Sequence, residues 1–314
     1  MKAVIVEKFG DVKHLVQVAL PIPEISENEV LVQVKALSIN PVDVKTRKGE
    51  ALATLLKDEN PIILGWDISG IIVKKGRNVT DFSVGDAVFG MVNFVGHGKA
   101  YAEYVAVSDN HLALKPLTVS HVEAAASTLA ALTAWQAFRH FGKLYANDTV
   151  LIHAASGGVG HFAVQIANHL GAYVIGTSSA KNRDFVLSLG ADEHIDYQSE
   201  PFEKKLNNID FVLETIGYEN FAKSVRVLKE GGTIVNLPSG LTEKDEQLAR
   251  TKNLKACFFM SVFSNGNDMH IIANLLKNKI LKPHIHKIFP FTEIGKAHLE
   301  VETNRVVGKV VVEV

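Results

Sequence analysis

Cysteine is nearly missing: Cys257 is the single one in 314 residues. That excludes an intramolecular disulfide and any zinc site built from several thiolates. An excess of either charge is missing too, since 33 Lys plus Arg face 34 Asp plus Glu for a net charge of -1, with no block of like charge in any segment. Binding to nucleic acid or to a membrane surface through bulk electrostatics is therefore disfavoured. No uninterrupted apolar run approaches the ~20 residues of a membrane span. The opening Met1-Lys2-Ala3-Val4-Ile5-Val6 is too short for a signal-peptide core and reads as a first strand, so a cytoplasmic protein is expected. Repeats and low-complexity stretches are absent, which removes solenoids and linkers. What remains is 47% hydrophobic and 21% charged residues with 23 Gly and 9 Pro, the usage of an ordinary globular protein long enough for two domains.

Up to about residue 115 the texture is β. Short Val/Ile runs such as Val30 to Val34 and Ile68 to Val73 alternate with Pro21-Ile22-Pro23, Asn40-Pro41, Asn60-Pro61 and Gly85-Asp86. The strands lie too close together for helical crossovers, so a mostly antiparallel, barrel-like sheet is expected. Ser120-His121-Val122-Glu123 has capping-box spacing and opens a long apolar helix candidate from Ala124 to Phe141. From Thr149 onward strand and helix signals alternate through Thr233 to Leu237, the pattern of a doubly wound parallel sheet. The fold class expected is α/β.

One motif carries chemistry. Val150-Leu151-Ile152-His153 runs into Ala154-Ala155-Ser156-Gly157-Gly158-Val159-Gly160 and then into the apolar helix Phe162 to Leu170. Gly157 and Gly160 hold the second and third positions of a G-x-G-x-x-G fingerprint, with Ala155 at the first. Backbone N–H groups at a helix N-terminus must approach a pyrophosphate closely, and the last glycine lets helix pack on strand. The next strand ends at Thr177-Ser178-Ser179-Ala180-Lys181-Asn182-Arg183, where an NAD enzyme presents an acid to the ribose 2′-hydroxyl. Two hydroxyls and two cations stand there instead, which favours the 2′-phosphate of NADP. The alternative for Lys181 and Arg183 is a solvated helix turn.

Asn40-Pro41-Val42-Asp43, Gly65-Trp66-Asp67, Gly85 to Gly90, Thr133-Ala134-Trp135, the glycine loop, Leu189-Gly190-Ala191-Asp192 and Ile195-Asp196-Tyr197 together resemble the medium-chain dehydrogenase/reductase superfamily. Within it, the chain is similar to the zinc-independent quinone oxidoreductases, the ζ-crystallin-like group, and their enone reductase relatives. The resemblance implies a GroES-like catalytic domain over 1–120 and 285–314 and a Rossmann NADP-binding domain over 121–284. It also implies NADPH-dependent hydride transfer to a quinone or an α,β-unsaturated carbonyl. In the zinc relatives a Cys, a His and a second Cys hold the catalytic metal. Here Asn40 and Trp66 stand at the first two of those positions and no cysteine remains for the others, so no metal is expected.

By the same resemblance, Asn40 lines the cleft and bonds the acceptor carbonyl, its alternative being a turn cap. Lys45 bonds the nicotinamide ribose or the substrate oxygen, or else is simply solvated. Thr133 lies near the nicotinamide, or packs its helix. Ser156, Gly157, Gly158, Val159 and Gly160 meet the pyrophosphate; Ser178, Ser179, Lys181 and Arg183 the 2′-phosphate; Tyr197 the adenosine end. Leu237, Ser239 and Phe263 border the nicotinamide, and Lys309 reaches the cofactor from the last strand. His284 and His286 alternate on one strand-like face without a third ligand. His153 reads as a packing residue, and Cys257 to Met260 as a sixth apolar strand that pairs across a two-fold in a homodimer. Two other readings stand beside the reductase. An enoyl-thioester reductase needs a Tyr proton donor in the first domain, and none precedes Tyr101. A crystallin-like or RNA-binding protein would hold the nucleotide without turnover.

Overall fold

The computed structural model describes residues 1–238 and 240–314. In chain order the strands are β1 (Lys2–Val6), β2 (Leu15–Ala19), β3 (Glu29–Ile39), β4 (Asp67–Lys75), β5 (Ala87–Met91), β6 (Tyr104–Ser108), β7 (Ala113–Leu114), β8 (Thr149–Ile152), β9 (Tyr173–Ser178), β10 (Glu193–Asp196), β11 (Ile209–Glu214), β12 (Leu228–Asn236), β13 (Lys255–Cys257), β14 (Ile285–Pro290) and β15 (Lys309–Glu313). The helices are α1 (Pro41–Arg47), α2 (Ala53–Leu56), α3 (His121–Ala126), α4 (Leu129–Gln136), α5 (Gly160–His169), α6 (Arg183–Ser188), α7 (Phe202–Lys205), α8 (Glu219–Val227), α9 (Glu243–Thr251), α10 (Gly266–Lys277) and α11 (Ile294–Glu302).

Two compact units result, Met1–Leu132 with Phe263–Val314, and Thr133–Val262. The first is built on a seven-stranded sheet ordered β14-β15-β3-β4-β5-β7, with β6 also paired to β3. Its pairs are antiparallel except β14 with β15, as the short β-β spacing requires. β3 sits at its centre because Val30, Val32, Val34, Ala36, Leu37 and Ile39 are all buried. This unit extends past the expected limits of 120 and 285. α3 buries Ala125 and Ala126 against Ala36 and Val311, and α10 packs on β7, so both stay with the first sheet.

The second unit is a parallel sheet ordered β10-β9-β8-β11-β12-β13, the doubly wound arrangement. Leu151, Ile175, Val212 and Ile234 from four of its strands meet Phe221 and Val225 of α8 in one apolar cluster. β13 ends at Cys257, so Phe258 to Met260 lie beyond the strand expected there.

The long helix expected over Ala124 to Phe141 is interrupted. Ser127 Oγ donates to Glu123 O at 2.8 Å and Thr128 Oγ1 to Ala125 O at 2.9 Å, hydroxyl bonds that compete with helix propagation. α4 then starts afresh, its first amide, Leu129 N, donating to Asp67 Oδ1 at 2.9 Å. A π-helical turn, Ala137–Phe141, closes the segment. Among the described residues no helix is long and apolar enough to cross a membrane.

Candidate functional site

In the first unit a polar cluster is buried where β3, β4 and β15 meet the start of α1. Ser38, Asn40, Asp43, Asp67, Tyr101, His298 and Lys309 are each 3% exposed or less. Asp67 is its hub: Oδ2 accepts from Ser38 Oγ at 2.5 Å and Asn40 Nδ2 at 2.7 Å, with Lys309 Nζ at 3.7 Å. Lys309 Nζ also donates to Asn40 Oδ1 and to Ile39 O. The Asn40 amide is therefore oriented by opposite charges, its oxygen toward a cation and its nitrogen toward a carboxylate. One of its two N–H groups has no further partner among the described residues.

Next to it, Asp43 Oδ2 accepts Asn40 N at 2.8 Å, closing the first turn of α1, and Oδ1 accepts from Tyr101 Oη at 3.0 Å. His298 Nε2 lies 2.9 Å from the same phenol. Burial and the neighbouring Asp67 charge push the Asp43 carboxyl up to about 7. Burial, with Arg47 adding, pushes His298 down to about 3, so its ring is neutral beside Tyr101. The Tyr101 hydroxyl is thus held inside the fold between Asp43 and His298. Burial likewise lowers Lys309, opposed by the Asp67 and Asp43 charges.

Trp66 is fully buried, edge-on to Phe94 at 5.5 Å, and its Nε1–H donates to Gly96 O at 2.8 Å. An indole offers no lone pair to a metal, and the Asn40 oxygen faces an ammonium. This donor set does not fit zinc, and among the described residues no group of three His, Cys, Asp or Glu could hold a metal ion.

In the second unit, β8 delivers the chain into the glycine loop at the carboxyl end of the sheet. A Cβ at Gly160 would lie 2.1 Å from Ala154 O and 2.7 Å from Ala155 Cα, so only glycine lets α5 start this close to the strand end. Gly157 is less tight, 3.2 Å from Ala154 O. No side chain caps α5 at Val159; His161 N and Phe162 N donate to Gly157 O and Val159 O at 3.0 and 3.2 Å, so the amides left for an anion are those of Gly158, Val159 and Gly160. Below the loop, His153 joins Thr177 Oγ1 and Ser224 Oγ at 3.0 Å each, and Ser224 donates to the fully buried Glu214 at 2.6 Å. Burial lowers the His153 pKa, so it is a neutral packing residue, as its position before the loop suggests. These groups fit a dinucleotide: a glycine cradle, an uncapped helix and hydroxyls beside cations.

Of the expected residues, Asn40 and Lys309 come together, as do Ser156 and Ser179. The second pair is joined by Asn182, whose Nδ2 donates to both hydroxyls, at 3.0 and 3.4 Å. Lys309 differs from expectation: its ammonium turns to Asn40 and Asp67, because burial requires acceptors for it. Ser178 differs as well, being 3% exposed with Oγ 2.7 Å from His194 Nε2. Arg183 is exposed and paired with Asp184 at 3.2 Å, while Lys181 is exposed at the end of the same turn. Lys45 projects from α1 into solvent while Asp43, Val44, Thr46 and Arg47 around it are buried. Thr133 is buried in α4. Tyr197 is 60% exposed just past β10, Leu237 is half-buried with its amide on Glu214 O at 2.9 Å, and Phe263 is 37% exposed in the first unit. Ser239 lies outside the described residues. Asp67, Tyr101, His298 and Asn182 were not singled out from sequence. Only Asp67 and Asn182 stood inside quoted motifs, and nothing local marked them.

Residues 26–117 match the alcohol dehydrogenase GroES-like domain, and residues 189–312 match a family described as zinc-binding dehydrogenase. The chain is 34% identical to a 2-methylene-furan-3-one reductase of Solanum lycopersicum over 99% of this chain and 79% of that protein. It is also 34% identical to a chloroplastic NADPH-dependent alkenal/one oxidoreductase of Arabidopsis thaliana, with the same coverage. The chain belongs to the medium-chain dehydrogenase/reductase superfamily. A solved member, the quinone oxidoreductase from Coxiella burnetii, is 37% identical and superposes with a TM-score of 0.94 over 100% of this chain and 99% of that one. The family named for zinc binding matches residues 189–312, which include neither Asn40 nor Trp66.

Proposed function

We propose that this chain is an NADPH-dependent, zinc-independent oxidoreductase that delivers hydride to a quinone or an α,β-unsaturated carbonyl. The observation that carries the reading is the Asn40 amide pinned between Asp67 and Lys309, a hydrogen-bond donor where the resemblance puts a metal ligand in zinc relatives. The relatives' names support it: an alkenal/one oxidoreductase described as NADPH-dependent, and a quinone oxidoreductase.

Bound NADPH supplies the hydride. The second unit's glycine loop and the start of α5 hold the pyrophosphate, with Ser156, Ser179 and Lys181 on the 2′-phosphate side. The free N–H of Asn40 donates to the acceptor's carbonyl oxygen, where negative charge grows during reduction, a fixed dipole that need not reorganise. An acceptor that is already electron-poor requires no stronger electrophile than this, whereas an alcohol would need a metal. We also propose a homodimer formed along the exposed β13 edge, and a place in the cytoplasm; several relatives are named as chloroplastic or mitochondrial.

The test is turnover. Chelator-treated protein with NADPH should lose nicotinamide absorbance when given a 2-alkenal or a quinone. Tight NADPH binding with no oxidation by either acceptor would overturn the reading and favour a nucleotide-binding protein without catalysis.

A further inference from the structure

We infer that Asn182 sets the cofactor preference by fixing the direction in which the hydroxyls of Ser156 and Ser179 point their protons. The inference rests on the NADPH reading and deepens it. Ser156 belongs to the glycine loop and Ser179 follows β9; these segments adjoin because β8 and β9 pair in parallel. Asn182 closes the 3-10 turn after β9, its own N–H on Ser179 O at 2.9 Å. From there Nδ2 donates to Ser156 Oγ at 3.0 Å and to Ser179 Oγ at 3.4 Å.

A hydroxyl has one proton and two lone pairs. When an amide N–H occupies a lone pair on each serine, both protons are left to donate elsewhere. Neither donates to any partner among the described residues. Two O–H donors without an acceptor of their own suit a phosphate, which only accepts at neutral pH, and serve a ribose 2′-hydroxyl less well because that group must also donate. The surrounding charge agrees: Lys181 is exposed with no partner among the described residues, and the nearest acids are occupied. Asp184 pairs with Arg183, and Asp196 accepts Ser199 Oγ, Ala180 N and Gln198 N.

The experiment measures calorimetric affinity for adenosine 2′,5′-bisphosphate and for 5′-AMP, with the NADPH/NADH ratio of kcat/KM beside it. In Asn182→Leu the hydroxyls lose their imposed direction, and the preference for the bisphosphate falls about tenfold, the size of a charged hydrogen bond. In Asn182→Asp a carboxylate draws both protons inward, and the preference falls further or reverses. A Leu variant with wild-type preference overturns the inference, even if the Asp variant loses it, because charge repulsion alone would then explain the Asp result. If the Leu variant does not fold, Ser179→Ala replaces it: it should weaken the bisphosphate and spare 5′-AMP, and affinities equal to wild type for both would overturn the inference. Wild-type protein that binds neither the bisphosphate nor NADPH refutes the NADPH reading as well; wild-type preference for NADPH with an unaffected Leu variant refutes the role of Asn182 alone.

Discussion

Lys309 donates its ammonium proton to the side-chain oxygen of Asn40, 269 residues away in sequence. Both are buried, with the Asp67 carboxylate completing the triangle. Removing one member of a buried charged pair leaves the other without compensation, which costs about 3–5 kcal/mol. Lys309→Met should therefore lower the urea midpoint strongly, and Asp67→Asn added to it should restore part of the loss. An unchanged midpoint in the single variant would show that the pair contributes nothing.

The two loop glycines should separate cleanly. Gly160→Ala places a Cβ against Ala154 O at a distance no real contact shows, so α5 must move and NADPH affinity should fall by tenfold or more, about 1.4 kcal/mol at least. Gly157→Ala meets the same oxygen at 3.2 Å, a contact relieved by a shift of a few tenths of an ångström, and its loss of affinity should be smaller than that of Gly160→Ala. Equal affinities for the two variants would contradict the packing described for the loop.

Stability should respond to pH through two buried groups of opposite sign. His298 has its pKa lowered from 6.5 to about 3, so its contribution is full above pH 6.5 and is lost as pH falls toward 3. Asp43 is raised from 3.8 to about 7, so its contribution is full below 3.8 and is lost as pH rises through 7. Each limb has a slope of up to ~1.4 kcal/mol per pH unit per group. Between pH 3.8 and 6.5 the two slopes oppose each other, so from pH 4 to 7 the denaturation midpoint should fall with rising pH relative to wild type in His298→Gln and rise relative to wild type in Asp43→Asn; unchanged slopes would exclude these groups.

Restoring a ligand type should not restore a metal. Trp66→His removes a buried indole packed on Phe94 and should cost roughly 3 kcal/mol, the range of large aromatic truncations. Elemental analysis after zinc exposure and dialysis should find no bound metal. Stoichiometric zinc would mean that the neighbouring groups are better ligands than their hydrogen bonds imply.

What the sequence made legible was local. The glycine loop and the β-α alternation after Thr149 each show within a few residues, since one turn or one strand dictates them. The Asp67 hub did not show, because Ser38 with Asn40, Leu129 and Lys309 reach it from three distant segments that only the tertiary fold brings together. Ser178 and Ser179 look alike in sequence, yet strand alternation puts the first under His194 and leaves the second beside Asn182. The Ser127-Thr128 break was hidden by the apolar run around it, and the Asp67 cap that restarts α4 beyond it is tertiary.

β15 is an interior strand, flanked by β14 and β3. On the ribosome, residues 133–262 emerge as a contiguous set and can form their parallel sheet while translation continues. The first unit cannot: the end of β3 from Ala36 to Ile39 waits for residues 310–313 as its antiparallel neighbour. Until then that apolar stretch is an open template for intermolecular pairing. Vectorial synthesis thus makes the earliest segment to appear the last to be completed, and chaperone dependence should track the delay in supplying those last residues.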